Sequence, residues 1–157
     1  EARIVNVSSE AHRNAKVNFT DIQRHNKYSG FTVYGESKLM NILFTYELDR
    51  RLQGTNVAVN ALHPGFVNTG FGMNNDGIVK WLLSGIQSLF AKSEDEGAQT
   101  SIYLAASPEV TGISGKYFAD KQQKKSNNAS YDLDAQKRLW ELSEELTGLA
   151  EPASESA

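Results

Sequence analysis

The sequence predicts an α/β fold built on a parallel sheet, and two observations carry the prediction. Short apolar runs, at Ile4 to Val7, Val57 to Leu62 and Gly115 to Ala119, alternate with long segments whose apolar residues recur at helical spacing. The first run is also rich in β-branched residues, as a strand covered on both faces must be. Strands that alternate with helices imply parallel pairing through right-handed crossovers.

The elements follow in order. Ile4 to Val7 is a strand, ended by Ser8-Ser9. Polar sequence from Glu10 to Gly30 is expected to be a loop with little regular structure. From Thr32 to Leu52, Leu39, Ile42, Leu43, Tyr46 and Leu48 form an apolar stripe, with Glu47, Asp49, Arg50 and Arg51 mostly opposite and Gly54 as the C-cap. Val57 to Leu62 is the second strand. Pro64 cannot donate to a sheet ladder, so the strand should stop at His63-Pro64-Gly65.

Gly70 to Gly77 is rich in Gly and Asn and reads as a flexible loop, and Ile78 to Phe90 as a broad-faced apolar helix. Ser93-Glu-Asp-Glu96 has the form of a capping box ahead of a helix to Ala106. Gly115 to Ala119 is the third strand. Leu133 to Leu146 is a last helix, with Leu139, Trp140, Leu142 and Leu146 inward and Gly148 closing it. Residues 150–157 have the composition of a disordered tail. Three strands with so apolar an edge make an improbable stable sheet by themselves, so more sequence is expected to complete it.

Composition narrows the function. A length of 157 residues suits one domain, and a formal charge of −3 argues against nucleic acid as the main partner. There is no cysteine, and the three histidines lack ligand-like spacing, so thiol chemistry and a structural zinc are not expected. No run approaches the roughly 18 apolar residues of a membrane span. Only Lys80 and Lys92 offer charge near the apolar helix, so membrane association is without support. The cytoplasm, or a membrane surface facing it, are the locations the sequence is compatible with.

The chemistry concentrates at the start of the long helix. Tyr34-Gly-Glu-Ser-Lys38 places a phenol and an ammonium one turn apart on one face. A free tyrosine ionises near about 10 and is a poor acid–base at neutral pH; a cation one turn away favours the phenolate. Ser9 ends a strand, and open α/β sheets bind ligands beyond the carboxyl ends of their strands. Its hydroxyl there suits a substrate oxygen, although turn chemistry alone also explains Ser8-Ser9. Pro64-Gly65 leaves the next strand at the same edge, where glycine lets backbone approach a ligand.

In this order Arg3-Ile-Val-Asn-Val-Ser-Ser9, Tyr34-Gly-Glu-Ser-Lys38, Leu39-x-Asn41-Ile-Leu-Phe44 and Leu62-His-Pro-Gly65 with Val67 and Thr69 resemble the short-chain dehydrogenase/reductases. Glu96-Gly-Ala-Gln-Thr-Ser101, Ser114-Gly-Lys-Tyr-Phe118 and Leu139-Trp140 narrow the likeness to their retinol-dehydrogenase-like branch. The resemblance implies a hydride transfer between a nicotinamide cofactor, NADP or NAD, and a carbonyl or alcohol. Tyr34 is implied as the acid–base, Lys38 as the lysine that binds the nicotinamide ribose, and Ser9 as the residue that orients the substrate oxygen. Pro64, Gly65, Val67 and Thr69 match the segment that wraps the nicotinamide, Val67 through its backbone. Gly70 to Phe90 matches the segment covering the substrate, and its apolar residues suit a retinoid, lipid aldehyde or steroid.

The family's glycine-rich dinucleotide turn, the residue that chooses NAD or NADP, and the asparagine of its catalytic tetrad are not found. The resemblance therefore implies that residues 1–149 are the C-terminal, catalytic half of a doubly wound, Rossmann-like domain whose cofactor-binding N-terminal half is absent. Such a piece alone is expected to turn over little. A homodimer through the long helix is compatible with the pattern. Two rivals stand beside the dehydrogenase reading: a serine hydrolase, which lacks a Gly-x-Ser-x-Gly elbow, and a catalytically incompetent dehydrogenase piece acting as an interaction module.

Overall fold

The computed structural model describes residues 2–65 and 93–149. The expected loop at 70–77, the apolar helix at 78–90 and the tail at 150–157 lie outside the described residues. The others build a sheet of β1 (Ala2–Val7), β2 (Val57–His63), β3 (Lys116–Ala119) and β4 (Gln122–Lys124), in the order β1-β2-β3-β4. The first three strands are parallel, with Ala2 opposite Val57 and Val7 opposite Leu62, then Asn60 opposite Lys116 and His63 opposite Ala119. This register brings the carboxyl ends of all three strands to one edge. The helices are α1 (Gly30–Arg51), α2 (Glu94–Ala106) and α3 (Leu133–Thr147).

Side chains of successive strand residues point to opposite faces, and the core divides accordingly. Leu62 and Phe118 pack with Leu104 of α2, whereas their neighbours Ala61 and Tyr117 pack with Ile42 of α1. Thus α1 and α2 cover opposite faces. Since β1, β2 and β3 advance in one direction, the two connections cannot both be right-handed, as the sequence reading supposed. That rule applies where a helix packs straight back on the strand it leaves, and residues 66–92 intervene between β2 and α2.

Leu39 and Leu43 form a second layer with Leu139 of α3, over which Val17, Phe19 and Ile22 fold back. Full burial of each such leucine contributes about 2 kcal/mol.

Several expectations are corrected. β1 is not covered on both faces: Ile4 is 36% and Val7 47% exposed, because β1 is the sheet edge among the described residues. The segment from Glu10 is no bare loop, since Glu10–Asn14 forms a 3-10 helix with His12 fully buried. Helix α1 starts at Gly30 and is capped by Leu52; Gly54, at φ +84°, lies in the turn beyond. Leu146 is exposed rather than inward.

Strand β4 is an addition to the three strands the sequence predicts. A two-residue turn with Asp120 at φ +52° and Lys121 at φ +59° folds it back on β3. The Lys121 amide donates to Thr100 Oγ1 of α2 at 3.3 Å, a tertiary bond that holds an otherwise disfavoured backbone. The capping box does form: Ser93 Oγ accepts from the Glu96 amide, and the Glu96 carboxylate accepts from the Ser93 amide at 2.9 Å.

Candidate active site

The carboxyl end of β1 is laced to the third and fourth turns of α1. Ser8 is buried and donates to the Lys38 carbonyl at 2.7 Å. The Val7 carbonyl accepts from Asn41 Nδ2 at 3.0 Å and from Lys38 Nζ at 3.5 Å. Asn6 Nδ2 donates to Thr45 Oγ1 at 2.9 Å, one turn further on. These bonds fix the height of α1 on the strand, and with it the position of Tyr34 and Lys38.

Ser9, the second of the serine pair, points elsewhere. Its Oγ accepts the Ala11 amide at 3.3 Å and caps the 3-10 helix. A hydroxyl that accepts from a backbone amide keeps its own hydrogen to donate. Gly35 binds this turn to α1: a Cβ there would meet the Ala11 carbonyl oxygen at 3.0 Å and the Ala15 Cβ at 3.5 Å. Tyr34 therefore precedes the point where α1 touches the turn that holds Ser9.

Tyr34 and Lys38 share a face as their spacing requires, with Lys38 Nζ 5.6 Å from the centroid of the Tyr34 ring. Both are half-buried, as is Ser9. No carboxylate pairs with Lys38 among the described residues. Pro64 and Gly65 leave β2 at the same edge, and Gly65 takes φ +93°, a backbone that disfavours any side chain. Val67 and Thr69 lie outside the described residues, as does the segment expected to cover a substrate.

Beside these residues stands a polar cluster the sequence did not single out. His12 is fully buried, its Nδ1 2.5 Å from the Ser9 carbonyl oxygen and its ring against Tyr117 at 4.9 Å between centroids. Burial keeps its pKa below the ordinary 6.5, against an opposing pull from the Ser9 bond. The buried Tyr117 phenol donates to Glu10 Oε1 at 3.2 Å, and burial followed by the Glu10 charge pushes its pKa up. Burial pulls Glu10 upward, but its bonds to Arg13 and the charge of His63 outweigh that and leave its carboxyl below the ordinary 4.5. His63 itself is a buried strand-end residue. Asn127 clamps the same turn, with Nδ2 2.8 Å from the His12 carbonyl and 2.9 Å from that of Arg13. Long sequence separation hides such a contact: nothing near Asn127 marks it as a partner of residue 12.

Cavities occur elsewhere. One of about 430 Å³ is lined by Tyr103, Glu109 and Asp120, and one of about 230 Å³ by Asp49, Asn56 and Ser114, at the amino end of the sheet. Neither is lined by Ser9, Tyr34 or Lys38. We find no group of histidines and carboxylates able to hold a metal, and no helix long and apolar enough to cross a membrane, among the described residues.

The sequence profile of the short chain dehydrogenase family matches residues 1–77. Human retinol dehydrogenase 14 is 46% identical over 150 residues, covering 94% of this chain and 45% of that protein. Human polyprenol dehydrogenase is 39% identical over 150 residues, with 94% of this chain and 46% of that protein covered. The crystal structure of an uncharacterized protein from Mycobacterium paratuberculosis superposes with a TM-score of 0.70 at 28% identity, over 94% of this chain and 50% of that one. The chain spans about half the length of the curated relatives it matches.

Proposed function

Since the chain belongs to the short-chain dehydrogenase/reductase family, we propose that the protein carrying it moves a hydride between a nicotinamide cofactor and the carbonyl or alcohol carbon of a hydrophobic substrate. The observation that carries the proposal is the pairing of Tyr34 and Lys38 beside a strand-end hydroxyl, at the edge where the strands of the parallel sheet finish.

Each side chain has a task its surroundings suit. Tyr34 protonates the substrate oxygen in reduction and takes the proton back in oxidation. The Lys38 ammonium, one turn away, stabilises negative charge on the phenol oxygen as that proton leaves. Ser9 donates its hydroxyl hydrogen to the same substrate oxygen and orients it.

The residues present fit a nicotinamide riboside. Lys38 has three N–H donors, no carboxylate partner among the described residues, and one carbonyl contact at 3.5 Å, which leaves donors for the ribose hydroxyls. Gly65 at φ +93° carries no side chain to obstruct a ring lying at the end of β2. When bound, NADP or NAD supplies or accepts the hydride, the part of the chemistry no side chain can perform. Pro64, Gly65, Val67 and Thr69 are assigned to its nicotinamide end. The names of the relatives support an apolar alcohol or aldehyde as the substrate, since retinol and polyprenol are both isoprenoid alcohols.

The test is Tyr34→Phe in the full-length protein. We expect turnover of a retinoid or polyprenol substrate to fall by about 10²- to 10⁴-fold, the usual contribution of a positioned acid–base. Cofactor binding, followed by quenching of protein fluorescence, should change little. A variant with near-normal turnover removes Tyr34 from the mechanism.

A further inference from the structure

We propose that His12 is the positioning residue of Ser9, holding the strand-end hydroxyl in its working orientation through a hydrogen bond to the Ser9 backbone. The proposal rests on the assignment of Ser9 to the substrate oxygen given above.

The ring nitrogens of His12 are in unequal surroundings. Nδ1 lies 2.5 Å from the Ser9 carbonyl oxygen, whereas Nε2 is buried and has no hydrogen-bond partner among the described residues. Two neutral tautomers are available. With the proton on Nε2, a buried donor would be orphaned and a lone pair would face the carbonyl oxygen. With the proton on Nδ1, the short contact becomes a hydrogen bond and only an acceptor is left bare, the milder penalty. Burial disfavours the doubly protonated ring, so the neutral Nδ1–H form is the one the site holds.

That bond matters because Ser9 stands where the chain leaves the strand. Ser9 has an extended backbone, φ −155° and ψ 156°, and immediately after it the chain turns into the 3-10 helix. Its Oγ accepts from the Ala11 amide, and its carbonyl accepts from the His12 amide at 3.1 Å and, at the shorter 2.5 Å, from the His12 ring, so both oxygens are tied to the turn that follows. The turn is held in three further ways. Asn127 Nδ2 grips the carbonyls of His12 and Arg13, Tyr117 packs on the His12 ring, and Gly35 of α1 admits the Ala11 carbonyl. Rotation of the peptide that follows Ser9 would break the ring bond and carry the Ala11 amide away from Oγ, leaving the hydroxyl free to turn about its Cα–Cβ bond. His12 touches no substrate in this account. It acts through Ser9, as the group orienting a metal-bound histidine acts through its ligand.

A histidine that merely fills space predicts something different, and substitutions separate the two. Leucine fills much of the ring volume without a donor, whereas the asparagine side chain places an N–H near the Nδ1 position. In the full-length protein we expect His12→Leu to lower kcat by about 10- to 100-fold, the scale of a misplaced reacting group, with cofactor affinity unchanged. Hydrogen exchange at the Ala11 amide should quicken in the same variant. His12→Asn should restore most of both. Equal losses in the two variants, or an Ala11 amide that exchanges as in the wild type after His12→Leu, would overturn the proposal in favour of packing.

Should His12→Leu not fold, nitrogen NMR of the wild-type ring decides: a proton found on Nε2 overturns the assignment directly. Absence of any nicotinamide-linked turnover in the wild type would instead defeat the dehydrogenase reading. The ring tautomer and the Ala11 exchange would still report whether His12 holds Ser9.

Discussion

Helix α1 handles charge in two ways along its length, and the contrast separates architecture from chemistry. Glu36 and Glu47 are buried, 7% and 4% exposed, and each is neutralised by arginine. Arg24 donates to Glu36 through Nε at 3.0 Å and through NH2. Arg50 and Arg51 both reach Glu47, the latter at 2.7 Å, and Arg50 also donates to Gln136 of α3 at 3.0 Å. Lys38, two residues beyond Glu36, receives no such partner among the described residues. Its ammonium meets a backbone carbonyl at 3.5 Å and the Tyr34 ring.

A buried charge is retained in a fold when a partner offsets its desolvation. A half-buried cation left without a counter-charge keeps its field for whatever enters. The paired sites therefore hold the helix in place, and the unpaired one suits the part proposed above for Lys38. Arg24 illustrates what the first kind demands: it takes φ +57°, which a non-glycine residue rarely adopts, at the point from which it reaches Glu36.

If the two kinds of site are truly different, substitutions should part them cleanly. The largest effect is expected at Lys38→Met, which keeps an unbranched stem of similar length and removes the charge. Turnover of the full-length protein should fall by about 10²-fold or more as the acid–base loses its cation. Cofactor binding should weaken, and the melting temperature should stay near that of the wild type. A marked loss of melting temperature would place Lys38 with the architectural charges instead.

Glu36→Gln should do the reverse. It leaves the Arg24 guanidinium, whose side chain is only 14% exposed, without its counter-charge. We expect a loss of about 3 kcal/mol in urea unfolding, the scale of breaking a buried pair. Glu47→Gln sharpens the point, because Arg50 and Arg51 are 36% and 43% exposed and can turn to water. Its expected loss is smaller, about 1 kcal/mol. Equal losses at the two glutamates would mean that burial of the arginine does not set the size of the effect.

The smallest change tests the seam between the two regions. Gly35→Ala should gain helix propensity, up to about 1 kcal/mol, and spend it on pushing the Ala11 carbonyl away from α1. Stability is expected to stay nearly level while kcat falls by about tenfold, because Ser9 moves with Ala11. A variant with unchanged kcat would show that the contact at Gly35 does not set the distance between Ser9 and Tyr34.

Some of this was readable along the chain. The α/β class followed from alternation, and the parallel strands appeared within a residue or two of their expected limits. Tyr34 and Lys38 follow the same logic, since a spacing of four residues on a helix puts two side chains on one face whatever surrounds them. Glu47 did not follow. Its spacing and charge read as solvent-facing, and it is buried because α3 packs across that side and Arg50 and Arg51 fold over it. His12 was passed over for a related reason: the signal sought was a repeated ligand spacing, whereas its partners are the backbone of residue 9, the ring of residue 117 and the amide of residue 127.

What the sequence by itself determined, then, is every relation that a local repeat fixes: strand, helix, the capping box at Ser93, and a phenol one turn from an ammonium. What only the tertiary structure decided is which partner each serine takes, which charges are neutralised, and what holds the turn after β1. The physical reason is range. Dihedral preference and side-chain periodicity act over a few residues, but burial and hydrogen bonding depend on whichever segment the fold brings alongside. Ser8 and Ser9 are neighbours with the same hydroxyl, and only the arrival of α1 over β1 gives the first a helix carbonyl as its partner while the second accepts from the turn that follows.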